Sequence, residues 1–137
     1  MKVGIHAVIL LTLFLVSSCS RGDASGRLIG EWWLIQADFD TPDLDSGFVS
    51  AARHSLESSI FYFEQENRFE IEDTSSIGGS YQGTWEYTPE GKLILTYPNL
   101  PIDPEIYEVM KLSRKKLIIR QHMESVGILE YHLERRN

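Results

Sequence analysis

Two hairpin signals built on the same three-residue loop constrain this chain more than any other feature. Residues 60–64 and 68–73 alternate apolar and polar side chains around Gln65-Glu66-Asn67. If those three residues form the loop, Glu64 opposes Arg68, Phe63 opposes Phe69 and Phe61 opposes Ile71. Opposite charges then share one face and apolar side chains the other, the arrangement that fixes a register. Asn67 is expected in the left-handed conformation that such loops need. Residues 80–88 and 92–97 repeat the pattern around Pro89-Glu90-Gly91, with Tyr87 opposite Leu93 and Trp85 opposite Leu95. Two hairpins that each align an apolar face through one turn length predict a meander of short antiparallel strands.

The rest of the chain extends the meander. Residues 28–39 read as a first strand, with Trp32 and Leu34 on one face and Trp33, Ile35, Ala37 and Phe39 on the other. Apolar residues on both faces predict that both are covered. Residues 41–59 supply a cover: Asp45 or Ser46 can cap a helix on which Phe48, Ala51, Ala52 and Leu56 share one side. That segment reads as a lid or as a packed connector. Prolines 98, 101 and 104 interrupt regular pairing between the fifth and sixth strands. Residues 105–112 and 117–123 form another hairpin, its register left open because Val109 and Met110 are both apolar. Residues 126–135 close the chain, with Leu129, Tyr131 and Leu133 on one face.

The expected fold is all-β: an eight-stranded antiparallel up-and-down β-barrel with a short helical or irregular segment after the first strand. Such a barrel is just wide enough to be filled by side chains or to hold one small ligand. A two-sheet sandwich is the alternative.

The domain is preceded by a leader. Lys2 is followed by a largely apolar run over residues 3–16, too short to span a bilayer comfortably but suited to a signal-peptide core. Val16-Ser17-Ser18-Cys19 resembles a bacterial lipobox, and Cys19 is the single cysteine of the chain. The resemblance implies a signal peptide over 1–18, an acylated Cys19 and a membrane anchor. A small, polar flexible tether over 19–27 and a barrel domain over 28–137 follow. Cleavage before Cys19 removes Lys2 and takes the formal charge from -7 to one unit lower. Ser20 in place of an aspartate resembles lipoproteins sorted to the outer membrane, on either its periplasmic or its surface face.

Composition excludes several function classes. One cysteine permits no intramolecular disulfide and no four-cysteine zinc site. An acidic chain whose basic runs are Arg114-Lys115-Lys116 and Arg135-Arg136 does not suit nucleic acid. No nucleophile-elbow, zinc-protease or phosphate-loop motif occurs, so no enzyme, catalytic residue or cofactor is expected. Asp38, Asp40, Asp43 and Asp45 fail as a calcium loop, because the twelfth position from Asp43 or Asp45 holds His54 or Leu56. No metal site is expected, and His122 and His132 are expected to face solvent.

Leu28-Ile29-Gly30-Glu31-Trp32 at the start of the first strand resembles the Gly-x-Trp signature of lipocalins. Gly83-Thr84-Trp85 supplies a second instance, and the whole spacing resembles small lipocalin-like domains of bacterial lipoproteins. The resemblance covers about residues 28–136. It implies that Trp32 plugs the closed end of the barrel and that a late arginine, Arg135 or Arg136, packs across its ring. The Trp32-Trp33 pair and the lack of stapling cysteines depart from the secreted members. The inward face is rich in rings, with Phe63, Phe69, Tyr81, Trp85, Tyr87 and Tyr131 as candidate ligand-lining residues. Either they orient a small hydrophobic ligand in the barrel, or they fill the space and leave a structural or interaction module for an envelope protein partner. For the second reading, Trp33, Ile35 and Phe39 are the candidate outer patch.

Overall fold

The computed structural model describes residues 23–75 and 78–136. The leader, Cys19 and the first part of the expected tether lie outside the described residues. Eight strands follow one another around a closed, wholly antiparallel barrel, each paired with its sequence neighbours and the last with the first. They are β1 (Gly30–Asp40), β2 (Ser59–Phe63), β3 (Arg68–Asp73), β4 (Gly79–Tyr87), β5 (Lys92–Thr96), β6 (Glu105–Leu112), β7 (Lys116–Met123) and β8 (Gly127–Arg135). Helix α1 (Asp23–Leu28) precedes β1, and helix α2 (Ser46–Leu56) lies between β1 and β2. A tether was expected through residue 27; instead α1 leads into β1, and Leu28 at its end is fully buried. Burial of that one large apolar side chain ties α1 to the core.

Both hairpin registers are present. Phe61 pairs with Ile71 and Phe63 with Phe69; Trp85 pairs with Leu95 and Tyr87 with Leu93. The loops themselves differ. Glu66 and Asn67 both adopt left-handed backbone in the first, whereas Gly91 takes it in the second. In each, the residue before the loop donates its N–H to the carbonyl of the residue after it, at 2.8 Å.

β1 corrects the expected face assignment. A bulge between Leu34 and Gln36 inserts an extra residue against β8. The pleat alternates with period two, so one inserted residue reverses the facing of everything beyond it. Ala37 therefore pairs with Tyr131 and Phe39 with Leu129, on the same inward face as Trp32 and Leu34. Phe39 leaves the outer patch proposed for it, and Ile35 is left exposed.

The bulge also determines how α2 docks. β1 pairs with β2 only from Gly30 to Trp33, while its far half pairs with β8 alone. Along that unpaired edge, Ala37 N–H donates to Glu57 Oε1 at 3.4 Å, and Arg53 Nε donates to the Ala37 carbonyl at 3.0 Å. Arg53 of α2 and Glu57 just after it thus replace the missing strand partner, as an exposed sheet edge requires. Asp45 caps the helix, accepting from the N–H groups of Gly47 and Phe48 at 2.9 and 3.1 Å. The expected apolar side of α2 is not what holds it. No residue of α2 is buried, Phe48 is exposed, and Leu56 alone of the four named residues packs against the core.

Candidate functional site

The two ends of the barrel are chemically different, and the difference follows from which residues each strand places inward. At the closed end, Trp32 is fully buried and its indole N–H donates to the Leu28 carbonyl at 2.8 Å. The Arg135 guanidinium lies 4.5 Å from the Trp32 ring centre and donates to the backbone carbonyls of Ile29, at 3.1 Å, and Arg27. Such a cation–ring contact contributes roughly 0.5–2 kcal/mol. Arg136 stacks separately on Trp33, 4.1 Å from its ring. The two arginines thus serve the two tryptophans on opposite sides of the wall. Phe63 and Trp85 meet edge to face at 5.9 Å, and the Trp85 indole N–H donates to the Glu64 carbonyl at 3.1 Å. Leu28, Leu93, Leu117 and Leu133 complete a dry layer.

Three of the named lining residues, Phe63, Trp85 and Phe69, are therefore core. Phe69 packs edge to face on Tyr97 at 5.2 Å. Tyr87 is half-buried near the closed end and packs against the core from its rim. Tyr81 is half exposed at the opposite end, and Tyr131 is buried there. The structure brings Tyr131 into a cluster and places the other five on its walls or away from it.

That cluster lies toward the end of the barrel opposite the plug, its mouth, and sequence reasoning missed its centre. Glu105, the first residue of β6, pairs with Leu95 on the inward face. Its Oε2 accepts the hydroxyl of Tyr97 at 2.9 Å and that of Tyr107 at 2.8 Å. Tyr107 in turn lies 6.0 Å from Tyr131, ring to ring. Tyr97 and Tyr107 are buried and Glu105 is half-buried. The available signal was the alternation Glu105-x-Tyr107-x-Val109. It was obscured by the adjacent apolar pair Val109-Met110, where the structure has a second bulge, between Val109 and Lys111. Val109 packs against the core and Met110 is exposed.

Burial, reinforced by the Glu105 charge, pushes the hydroxyl of Tyr131 up to about 12. The same causes drive Tyr97 and Tyr107 well above the ordinary tyrosine range. Tyrosines of the unfolded chain ionise near pH 10. The folded-state values are higher, so the stability they contribute is complete below pH 10 and is lost as pH rises above it, for Tyr131 through about 12. An ultraviolet titration is expected to show these tyrosines ionising only with loss of near-ultraviolet circular dichroism. Smooth ionisation of all tyrosines near pH 10 in the folded protein would contradict the cluster.

Outside the barrel, His132 is more engaged than expected. Its Nε2 lies 2.9 Å from Glu130 Oε1 and 3.3 Å from Asp38 Oδ2. The reason is again the bulge, which turns Asp38 outward beside β8. Arg120 holds Glu130 Oε2 at 2.7 Å, and Gln36 donates to both Asp38 oxygens at 2.9 Å. Partners of both kinds thus already satisfy these carboxylates. His122 is exposed and 3.8 Å from Glu108.

No protein-family model matches the sequence, and no curated protein is similar to it. Among solved structures, an uncharacterised protein from Bacteroides eggerthii superposes with a TM-score of 0.55 at 13% identity, covering 80% of this chain and 99% of that one. A lipocalin-like protein from Bacteroides uniformis superposes with a TM-score of 0.54 at 17% identity, covering 81% of this chain and all of the other. At those identities the likeness concerns the fold. With the closed eight-stranded meander, the helix after β1 and the plugged end, it shows that this chain has a lipocalin-like barrel fold.

Proposed function

We propose that the protein is a membrane-anchored, non-enzymatic lipocalin-like carrier or sensor that holds a small hydrophobic molecule in the open mouth of its barrel. The observation that carries this reading is the contrast between the two ends. At the closed end Trp32, Leu93, Leu117 and Leu133 form an apolar layer that is fully buried. The mouth mixes apolar walls (Phe39, Ile71, Leu129) with a few placed polar groups (Glu105 and the hydroxyls of Tyr97 and Tyr107). Binding sites for small molecules combine those two ingredients. Native mass spectrometry of protein purified gently from its own host tests the reading. A mass surplus beyond the acyl anchor, lost on denaturation, is expected. An acylated chain that carries nothing, and takes up nothing from a host lipid extract, would count against it.

The anchor part of the proposal rests on the lipobox-like Val16-Ser17-Ser18-Cys19. Two or more acyl chains anchor stably where one binds marginally. Cys19→Ser is expected to abolish incorporation of an alkyne fatty acid and to move the protein from the membrane to the soluble fraction. Retention of the label in that variant would exclude Cys19 as the acceptor. The outer membrane is the proposed location.

One observation favours a second reading, an interaction module of the envelope. On the outer wall Ile94 pairs with Ile106, which is 52% exposed, and Ile102 and Met110 are exposed as well. A patch of that kind suits a protein partner. Ile106→Glu would then abolish co-purification of an envelope partner while leaving the fold intact.

A further inference from the structure

Charge is unevenly distributed along the barrel axis. The connections at the mouth carry Asp43, Asp45, Glu57, Asp103 and Glu124 against Arg53. At the plugged end, Arg114 and Lys115 form the β6–β7 turn, Lys116 opens β7, Arg135 ends β8 and Arg136 follows it. The antiparallel ladder brings these two basic runs together, and the Arg135 N–H donates to the Lys115 carbonyl at 3.0 Å. The Arg135 side chain also donates to the Arg27 carbonyl, which adds the last turn of α1 to the same face. Arg27, Arg114, Lys115, Lys116 and Arg136 are exposed. Among the described residues, no carboxylate forms an ion pair with Arg114, Lys115, Lys116 or Arg136. Glu134, opposite Lys116 in the ladder, offsets one charge of the run. The β2–β3 and β4–β5 loops at the same end carry Glu64, Glu66 and Glu90, and Arg68 pairs with Glu64 at 3.6 Å. The positive face is therefore the half of the plugged end made by the β6–β7 turn, the end of β8 and the last turn of α1.

We propose that this face lies against an anionic phospholipid surface and holds the anchored barrel with its mouth turned away from the bilayer. The inference rests on the anchor reading of Cys19 and adds an orientation to it. Cys19 precedes Asp23, the first residue of α1, by four positions, so a fully extended link reaches at most about 14 Å. The plugged end is thus tethered close to the head groups, and a tethered face needs little affinity of its own because its effective concentration is high. Each lysine or arginine near an anionic bilayer strengthens the hold about fivefold, and the attraction decays within a Debye length. The acidic connections at the mouth are repelled by the same surface, so attraction at one end and repulsion at the other select one orientation. That orientation leaves the mouth open to the aqueous side.

The tryptophans of the chain supply the probe. Trp32, Trp33 and Trp85 all lie toward the plugged end, so energy transfer from them to dansyl-phosphatidylethanolamine reads how close that end sits to the bilayer. The full acylated protein is reconstituted in vesicles of phosphatidylcholine, with or without phosphatidylglycerol, each carrying the same dansyl lipid. Transfer is expected to rise roughly twofold with phosphatidylglycerol and to fall back at about 1 M salt, where charges are screened. Arg114→Gln, Lys115→Gln and Lys116→Gln together are expected to remove the rise. Arg114→Lys, Lys115→Arg and Lys116→Arg together are expected to keep it, which separates charge from side-chain shape. Transfer that is indifferent to phosphatidylglycerol, or a rise that survives high salt or the glutamine variant, overturns the orientation. Salt-sensitive capture of an acidic envelope protein in place of any lipid effect assigns the face to that protein and overturns the lipid assignment. Flotation with phosphatidylcholine vesicles reads the anchor separately. If the protein does not float with them, the anchor reading fails. Salt-reversible flotation with phosphatidylglycerol vesicles then still supports the basic face, and no flotation with either overturns both. Because lipid and salt dependence are read first on the natural sequence, instability of a variant does not remove the test.

Discussion

Replacing Trp32 with alanine is expected to lower the unfolding free energy by about 3–5 kcal/mol, the range for truncating a large buried ring. Three losses combine there. The ring itself, fully buried among Leu28, Phe63 and the closed-end leucines, leaves a cavity that strands on all sides cannot collapse to fill. The hydrogen bond from its indole to the Leu28 carbonyl disappears, and that buried carbonyl loses its partner. Arg135 loses the ring beneath it but keeps its bonds to the carbonyls of α1 and of residue 29. Urea denaturation of natural protein and variant measures the sum. Trp32→Phe separates the contributions: it retains most of the apolar area and omits the hydrogen bond, so a loss of about 1–3 kcal/mol is expected. A near-neutral Trp32→Ala would show that Trp32 does not plug the barrel.

Gly83→Ala is the second large effect, and its cause is steric. A Cβ built on Gly83 would stand 2.0 Å from the Thr96 carbonyl oxygen and 2.8 Å from Phe69 Cε1. The Thr96 oxygen belongs to the neighbouring strand, so relief requires β4 and β5 to separate. Glycine within a barrel strand marks such a tight bend or close approach. Overpacking of this kind costs about 1–3 kcal/mol, occasionally more, and backbone involvement puts Gly83→Ala at the upper end, roughly 3 kcal/mol. The expected readout is a lower urea midpoint with increased hydrogen exchange in β4 and β5. An unchanged midpoint would mean that the barrel is wider at this corner. The result bears on the second Gly-x-Trp, Gly83-Thr84-Trp85: the glycine lets the Thr96 backbone and the Phe69 ring approach, and Trp85 two residues on is buried.

The hairpins were legible because local signals agreed there. At Gln65-Glu66-Asn67 and Pro89-Glu90-Gly91, loop length, charge pairing and apolar alternation all select one register, and both registers are present. The eight strands were legible for the same reason, as was a helix after β1 capped by Asp45 or Ser46, of which the structure has Asp45. Bulges were not. One inserted residue near Ile35 moves Phe39 from the outside to the inside and turns Asp38 toward His132. Another near Met110 hid the inward run that carries Glu105 and Tyr107. A bulge leaves no distinctive residue type behind, and a residue beyond it simply changes face.

The candidate site was only partly legible. Tyr131 was named from its alternation and lies in the mouth cluster. Phe63, Phe69 and Trp85 were named on the same ground and pack as core. Alternation reports which face a residue is on. It does not report how far along the barrel axis that residue sits, and depth separates filling from lining. Tyr97 and Glu105 lie at the two strand ends flanking a proline-rich connection, positions where periodicity is weakest.

By itself the sequence determined the strand count, the antiparallel meander and the registers of the β2–β3 and β4–β5 hairpins. These depend on interactions between chain neighbours or between strands joined by short turns, where loop geometry restricts the partners. Only the tertiary structure decided which end is dry and which polar, that α2 is held by Arg53 and Glu57 rather than by an apolar face, and that Glu105 receives two tyrosyl protons. Each of these brings together groups from separate segments after closure. Their positions depend on the accumulated twist and bulges of the whole barrel, which no single stretch of residues encodes.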